Sequence, residues 1–421
     1  MARRAQILGA AVLSIFASIY LAFQILLSAN HEPASLPGYA HPQTIQMLYT
    51  ASLQNSTVRP PLRAQGRYMV DSVGTRIKLT SINWYGASDE LFVVGGLNVR
   101  HRDDIARTIA ALGFNSVRLP YSDQLVIEDP IIPSALLSAN PDLIGFSAVD
   151  VYSAVVTSLT SAGILVIPNN HITTARWCCD ANLCDGIWHN DYLGPLCKVP
   201  LSKATWIDHL ETIMRPHVTN PLVIGVDLRN EIRAVKDGFI WKEWAAAAEE
   251  AAERLHLINP EWLMFIEGVS SANILSGARK RPVTLSTPDK VVYSAHVYGW
   301  SGWGTLRPYW NRDYASFAKD MQKHWGWLLD EDVAPVWIGE FGAPSEANGP
   351  NKGDLRYWRH LVRYLREVDA DWGYWALNPR KPRQDAMEGY GILDDDWESV
   401  RWDYRLADLG SLMAARDMLD L

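Results

Sequence analysis

Short apolar runs alternate with helical stretches through most of the 421 residues. Runs this continuous suit a parallel sheet covered on both faces. Many of them end in charged, amide or aromatic residues, as the carboxyl rim of a closed parallel barrel does where chemistry sits. These observations predict an α/β fold, a (β/α)8 or TIM barrel. An N-terminal β-hairpin and a long disulfide-stapled loop after the third strand are expected to decorate it.

The N-terminus is a separate matter. Arg3 and Arg4 precede an apolar run at residues 7–27, close to the ~20 residues that span a bilayer. A cleaved secretory signal ending near Ala29 is one reading. A retained anchor with its basic end in the cytoplasm is the other. The run exceeds the roughly 7–15 residues of a signal core, and Leu27 stands where a small residue is preferred, so the anchor is favoured. Residues 1–29 form this segment. Residues 30–65 are polar with scattered Pro and Ser and read as a linker or stalk. They carry Asn55-Ser56-Thr57, a glycosylation tripeptide. Residues 66–421 form the folded domain, expected in the secretory pathway, on the lumenal or extracellular side.

Within that domain, YMVD at residues 68–71 and RIKL at 76–79 flank a turn containing Gly74, which signals a hairpin. Helices are expected at residues 102–112, 148–162, 203–218, 239–258, 315–330 and 354–368. Strands are expected at 79–83, 116–119, 164–168, 222–228, 262–266, 291–295, 335–338 and 372–375. Eight such units over about 350 residues fit a decorated barrel. A doubly wound sheet is the rival fold, but it carries glycines for phosphate in its first turn. The turn after Trp84 shows none.

The strand ends specify the chemistry. In order they offer Arg118; Asn169, Asn170 and His171; Arg229, Asn230 and Glu231; Glu267; His296 and Tyr298; Glu340; and Trp375. Each alone has a bland structural reading, and together they would fall on one rim. Glu231 on the fourth strand and Glu340 on the seventh would face each other across a single site. Such a pair can cleave a glycosidic bond with one carboxyl protonated and the other ionised. Arg118 and a hydrogen bond from Tyr298 would lower the pKa of Glu340, while burial and the charge of Glu340 would raise that of Glu231. Asn230 suits the sugar 2-hydroxyl, His171 and His296 suit donors, and Trp375 suits a floor under the sugar ring. Glu267 would orient His296 or Tyr298, or touch sugar.

On these residues the chain resembles glycoside hydrolase family 5, the cellulase A group of retaining barrel glycosidases. The segments that carry the resemblance are RIKLTSIN at 76–83, SVRLPY at 116–121, NNHI at 169–172, DLRNE at 227–231, HVY at 296–298 and WIGEFG at 337–342. It covers about residues 67–409. It implies Glu231 as acid/base, Glu340 as nucleophile, and Arg118, His171, Asn230, His296, Tyr298 and Trp375 as the supporting set. The implied activity is cleavage of a β-glucan, endo-β-1,4-glucanase-like, by a monomer without a cofactor. Exo action or transglycosylation on glycolipid or wall glycan, and a non-catalytic carbohydrate-binding barrel, are the alternatives.

All four cysteines, Cys178, Cys179, Cys184 and Cys197, lie in the loop after the third strand. In an oxidising compartment they read as two disulfides. A bond between the adjacent pair would be strained, so pairings of Cys178 and Cys179 across to Cys184 and Cys197 are expected. Adjacent ligands and the secretory context disfavour a zinc knot, and the single histidines on strands three and six are too sparse for a metal-dependent barrel hydrolase. Trp177, Trp188, His189 and Tyr192 on this loop are expected to wall one end of the cleft. A second wall is expected from residues 299–309, with Trp300 and Trp303. Asp394, Asp395 and Asp396 read as a solvated turn. A net charge of −8 leaves no basic field for nucleic acid. The partner expected is an oligo- or polysaccharide, with membrane anchorage through residues 7–27.

Overall fold

The computed structural model describes residues 58–180, 182–233, 241–301, 308–381 and 386–413. The apolar run, the Asn55 tripeptide, most of the linker and Trp303 lie outside the described residues. Among the described residues no helix is long and apolar enough to cross a membrane.

An antiparallel hairpin comes first, β1 (Arg63–Gln65) with β2 (Tyr68–Val70). It turns on Gly66, whose φ of 54° glycine adopts without a steric penalty. The hairpin is present, but its first strand lies in the stretch read as linker. The expected partner strand at residues 76–79 meets β2 at one bridge, Val70 with Arg76. The reason is local: Asp71 Oδ1 accepts the N–H groups of Val73 and Thr75 at 3.1 and 2.8 Å. That closes a tight turn and leads Ile77 and Leu79 into the barrel floor.

The barrel strands are β3 (Thr80–Asn83), β4 (Ser116–Ser122), β5 (Leu165–Ile172), β6 (Gly225–Asp227), β7 (Leu263–Glu267), β8 (Val291–His296), β9 (Val336–Phe341) and β10 (Asp371–Tyr374). They close in chain order, with β10 against β3. The interior changes character along the axis. Its floor is apolar: Leu62, Met69 and Ile77 from the hairpin region plug it against Leu165, Ile167, Leu263, Phe265 and Trp337. One layer up, the Ser81 and Ser116 hydroxyls meet at 2.6 Å and Trp337 Nε1 donates to Ser81 at 3.2 Å. Above them sit Asn83, Arg118, Asp227 and Glu267, all without solvent exposure.

Helices cover the outside. Those used below are α1 (Asp123–Glu128), α2 (Ala148–Ser161), α3 (Lys203–Met214), α4 (Trp241–His256) and α5 (Lys352–Val368). The helix expected to reach residue 218 stops at Met214, because Pro216 cannot donate its i→i−4 bond and a 3-10 turn, Arg215–His217, follows. The stretch 315–330 is interrupted by a π-turn at Gln322–Gly326. Helix α5 opens on a capping box between Asn351 and Asp354, which satisfies two otherwise orphan donors. The short helix α1 and a final helix, Tyr404–Met413, were not foreseen.

One irregularity positions the site. Trp337 faces the barrel interior and Ile338 the outer core. Strict alternation would turn residue 340 outward. Both neighbours record an extra residue on β9: Ala295 pairs with Ile338 but His296 with Glu340, and Trp372 pairs with Ile338 but Tyr374 with Phe341. This bulge turns Glu340 toward the cleft. It needs Gly339, where a side chain would crowd Ser294, Trp337 and His296.

Candidate active site

Arg118 is the hub. A guanidinium has five N–H donors, and each is engaged. Nε donates to Asp227 at 2.8 Å, Nη1 to Asn83 at 3.0 Å and Glu340 at 2.5 Å, and Nη2 to Asn230 at 2.8 Å and Glu267 at 2.9 Å. Burial opposes the charge, but Asp227, Glu340 and Glu267 outweigh it and raise the Arg118 pKa further. Asn83, which fixes one side of the fork, itself donates to the carbonyls of Gly339 and Tyr374.

Glu340 is gripped from two sides. Its Oε1 accepts from Arg118, and its Oε2 accepts from the Tyr298 hydroxyl at 2.9 Å. The expected lowering of its pKa is not the outcome. Burial raises it, His296 and Arg118 only partly offset that, and the charges of Glu231 and Glu267 add to the rise. Burial and Glu340 also keep the Tyr298 hydroxyl protonated, so it serves as a donor.

Glu231 sits at the rim with a side chain 14% exposed. Its backbone φ is 43°, a region that side-chain-bearing residues rarely occupy. His296 Nδ1 lies 3.1 Å from Glu231 Oε1 and 3.7 Å from Glu340 Oε2, and its Nε2 lies 3.4 Å from Glu267. Burial disfavours an imidazolium, but Glu267, Glu340 and the bonds to Glu231 and Glu267 prevail and raise its pKa well above the ordinary value. His171 goes the other way. Burial, then the charges of Arg118 and His296, push it well down. Its Nδ1 donates to Asn169 Oδ1 at 2.8 Å, which leaves Nε2 an acceptor. Of the two histidines expected as donors, His296 is one and His171 is not.

Glu231, His296 and Glu340 bring ligand-type atoms within 4.8 Å of one another. His296 faces carboxylates with both nitrogens, Glu231 and Glu340 at Nδ1 and Glu267 at Nε2, a setting that favours its protonated form. A metal ligand needs a free imidazole lone pair, so the trio fits proton sharing better than ion binding.

The cleft above these groups measures about 560 Å³ and is lined by His171, Trp177, Asn230, Glu231, Tyr298, Glu340 and Trp375, among others. Trp375 stacks at 5.0 Å on Tyr85 and at 5.6 Å on His171. Trp177 stands edge-on to Tyr85 at 5.3 Å, and Trp300 lies flat on Tyr298 at 4.5 Å. All eight residues expected at the site are therefore brought together. Sequence reasoning missed Lys381, Glu388 and Tyr390, which also line it. They come from the loop after β10, where no periodic signal exists. It also missed Asp227, whose signal was a carboxylate inside an apolar run.

The cysteine pairing needs correction. Cys178 bonds Cys179, and Cys184 bonds Cys197. Asn182 caps the Cys184 N–H, and Asn190 Nδ2 donates to the carbonyls of both Cys184 and Val199. Those bonds draw the two ends of the loop together, with Cα atoms 5.5 Å apart, and leave Cys178 and Cys179 to each other. The adjacent pair lines the cleft, and its sulfurs lie 3.5 and 3.4 Å from Asn230 Nδ2. The loop's other aromatics do not line the cleft as expected. Trp188 is buried against Trp244 of α4, and His189 pairs with exposed Asp191. Arg229 also turns away from the cleft, to Asp123 of α1, Asn170 and Thr173.

A closed parallel barrel with facing carboxylates and an aromatic-lined cleft at its strand ends fits one class, a barrel glycosidase. Comparison with known proteins agrees. The profile of Cellulase (glycosyl hydrolase family 5) matches residues 70–381. The chain belongs to that family. Among curated relatives, a "Glycosyl hydrolase 5 family protein" of Chamaecyparis obtusa is 29% identical over 81% of this chain and 64% of its own length. An "Endoglucanase" of Paenibacillus polymyxa is 28% identical over 82% of this chain and 85% of its own. The chain thus spans just under two thirds of the first relative and more of the second. Among solved structures, a hyperthermophilic endocellulase from the archaeon Pyrococcus horikoshii superposes with a TM-score of 0.71 at 25% identity, covering 85% of this chain and all of that one.

Proposed function

We propose that this protein hydrolyses O-glycosidic bonds of a β-glucan-type polysaccharide, as an endo-β-1,4-glucanase does, with retention by double displacement. The observation that carries the reading is the approach of Glu231 and Glu340 oxygens to within 4.8 Å. A retaining pair stands about 5–5.5 Å apart, and an inverting pair about 6.5–9.5 Å to admit water between. Glu340, held by Arg118 and Tyr298, attacks the anomeric carbon as a carboxylate. Glu231 gives its proton to the leaving oxygen, then takes one from the water that releases the glycosyl-enzyme. Asn230 has its carbonyl oxygen fixed by Arg118, and its amide N–H groups, which meet only the weakly accepting sulfurs of Cys178 and Cys179, serve the sugar 2-hydroxyl. His171 accepts from a further hydroxyl, and Trp375 supports the ring.

The endoglucanase names of the Paenibacillus relative and of the "Major extracellular endoglucanase" of Xanthomonas campestris support the substrate class. Two disulfides support a catalytic domain on the lumenal or extracellular side, preceded by the segment 1–29 and a linker from residue 30 that ends before Leu62 and β1, which belong to the folded domain.

Proton NMR of cello-oligosaccharide hydrolysis, begun before mutarotation, tests the proposal. The first reducing end released is expected as the β-anomer, and Glu340→Gln is expected to bind oligosaccharide without turning it over. An α-anomer as first product overturns double displacement. Binding without cleavage across a glycan panel makes the protein a carbohydrate-binding barrel instead.

A further inference from the structure

Glu267 closes β7 as a carboxylate with no solvent exposure, and the double-displacement chemistry gives it no covalent or proton-transfer step. We propose that Glu267 is a positioning residue that sets the backbone and side-chain aim of the acid/base Glu231. The proposal rests on the assignment of Glu231 as acid/base.

Its contacts converge on that one residue. Glu267 Oε2 accepts the backbone N–H of Glu231 at 2.6 Å. Its Oε1 accepts from Arg118 at 2.9 Å and faces His296 Nε2 at 3.4 Å. His296 in turn presents Nδ1 to Glu231 Oε1 at 3.1 Å. Glu267 therefore reaches Glu231 twice, directly at the main chain and through the imidazole at the carboxyl.

Glu231 needs such a hold. A non-glycine residue at φ 43° persists only where its surroundings over-determine it. The next carbonyl is restrained as well: Arg233 Nη1 donates to the Glu231 carbonyl at 2.9 Å. The peptide groups on either side of the Glu231 Cα are thus pinned by opposite charges, an anion on its N–H and a cation on its C=O.

Glu267 is also in the right charge state. Burial works against its anion, but His296 and Arg118 outweigh that and hold the carboxyl down to about 2. Its hydrogen-bonded neighbour Asp227 is driven well up, by burial first and then by the charge of Glu267. The two directions favour the carboxylate at Glu267, where His296 and Arg118 both face it.

The test separates aim from fold and from the parent assignment. A general acid matters most when the leaving group is poor. Cello-oligosaccharide and an activated dinitrophenyl cellobioside are compared as substrates for the full protein, Glu231→Gln, Glu267→Gln and Glu267→Asp. Glu231→Gln is expected to lose kcat with cello-oligosaccharide and to retain the first, glycosylation step with the dinitrophenyl leaving group, read as a pre-steady-state burst. If that contrast is missing, the acid/base assignment itself fails. Glu267→Gln is expected to repeat the contrast, with kcat on cello-oligosaccharide down about 10²-fold, the burst rate within a few-fold, and KM little changed. Glu267→Asp keeps the charge but cannot span to the Glu231 N–H. It is expected to show the same contrast and to keep the melting temperature closer to that of the parent. If Glu231→Gln shows the contrast and both Glu267 variants lose the two substrates equally, the positioning role is overturned and Glu267 merely stabilises the barrel. Should Glu267→Gln fail to fold, Glu267→Asp alone decides.

Discussion

Removing the Tyr298 hydroxyl tests how the site keeps its nucleophile ionised. In Tyr298→Phe the ring remains stacked on Trp300 and only the 2.9 Å bond to Glu340 Oε2 is lost. That bond favours the carboxylate over the acid. A hydrogen bond to a charged group is worth about 1.5–3 kcal/mol, and one pKa unit corresponds to about 1.36 kcal/mol. The Glu340 pKa, already raised by burial, should therefore climb by a further 1–2 units or so. Because Glu340 must be ionised to attack, the acidic limb of kcat/KM moves the same way, to higher pH. The assay is kcat/KM on cello-oligosaccharide across pH for the parent and for Tyr298→Phe. In the parent the limb should itself lie above the ordinary glutamate value of about 4.3. An unmoved limb, or one moved to lower pH, would refute the account of how Glu340 is held.

Three further outcomes are expected. Cys184 and Cys197 are 13 residues apart in sequence, so replacing both by alanine should lower stability by about 3 kcal/mol, the loop-closure value for that length, measured by urea denaturation. Arg118→Lys keeps a charge but offers at most three donors where five are engaged, leaving buried partners unsatisfied. It should lose about 3–5 kcal/mol of stability together with most of kcat, and retention of both would remove Arg118 as the hub. His217 is held down to about 4 by burial, so it is neutral in the fold and its contribution is present above its unfolded value near 6.5. That contribution is lost as pH falls from there through about 4, and His217→Gln should flatten the acid side of the stability curve in thermal melts.

Much of this was legible from residues alone. Every barrel strand lies where an apolar run places it, because burial on both faces leaves little choice of composition. The rim was legible because Arg118, Asn230, Glu231, His296, Tyr298, Glu340 and Trp375 all stand at or just beyond those runs. What was not legible depends on contacts between distant segments. The hairpin partner was misplaced because Asp71 closes a turn with its own side chain, which no alternation pattern records. The cysteines were misassigned because Asn182 and Asn190 bring Cys184 to Cys197, and spacing is silent about such bracing. Lys381, Glu388 and Tyr390 reach the cleft from an aperiodic loop. The direction of the Glu340 shift was misjudged because Arg118 was counted as its partner alone. In the barrel that cation is shared with Asp227 and Glu267, and burial prevails.

The two carboxylates stand where regular geometry breaks. Glu340 faces the cleft only because β9 carries one residue too many, at Gly339. Glu231 reaches the rim with a left-handed backbone, just past the last ladder residue of β6, Asp227. A regular strand would send Glu340 into the outer core, and a regular turn residue would aim Glu231 elsewhere. Both departures carry a local penalty, and both are met by groups from other strands: Arg118 of β4 on Glu340, Glu267 of β7 on Glu231. Such concentrated departures from local preference are expected where a fold serves a site rather than its own stability. The buried network around Arg118 then has a second role besides carrying charge. It holds two unfavourable conformations in place, so that two carboxyl groups from opposite sides of one barrel meet at a distance of a few ångströms.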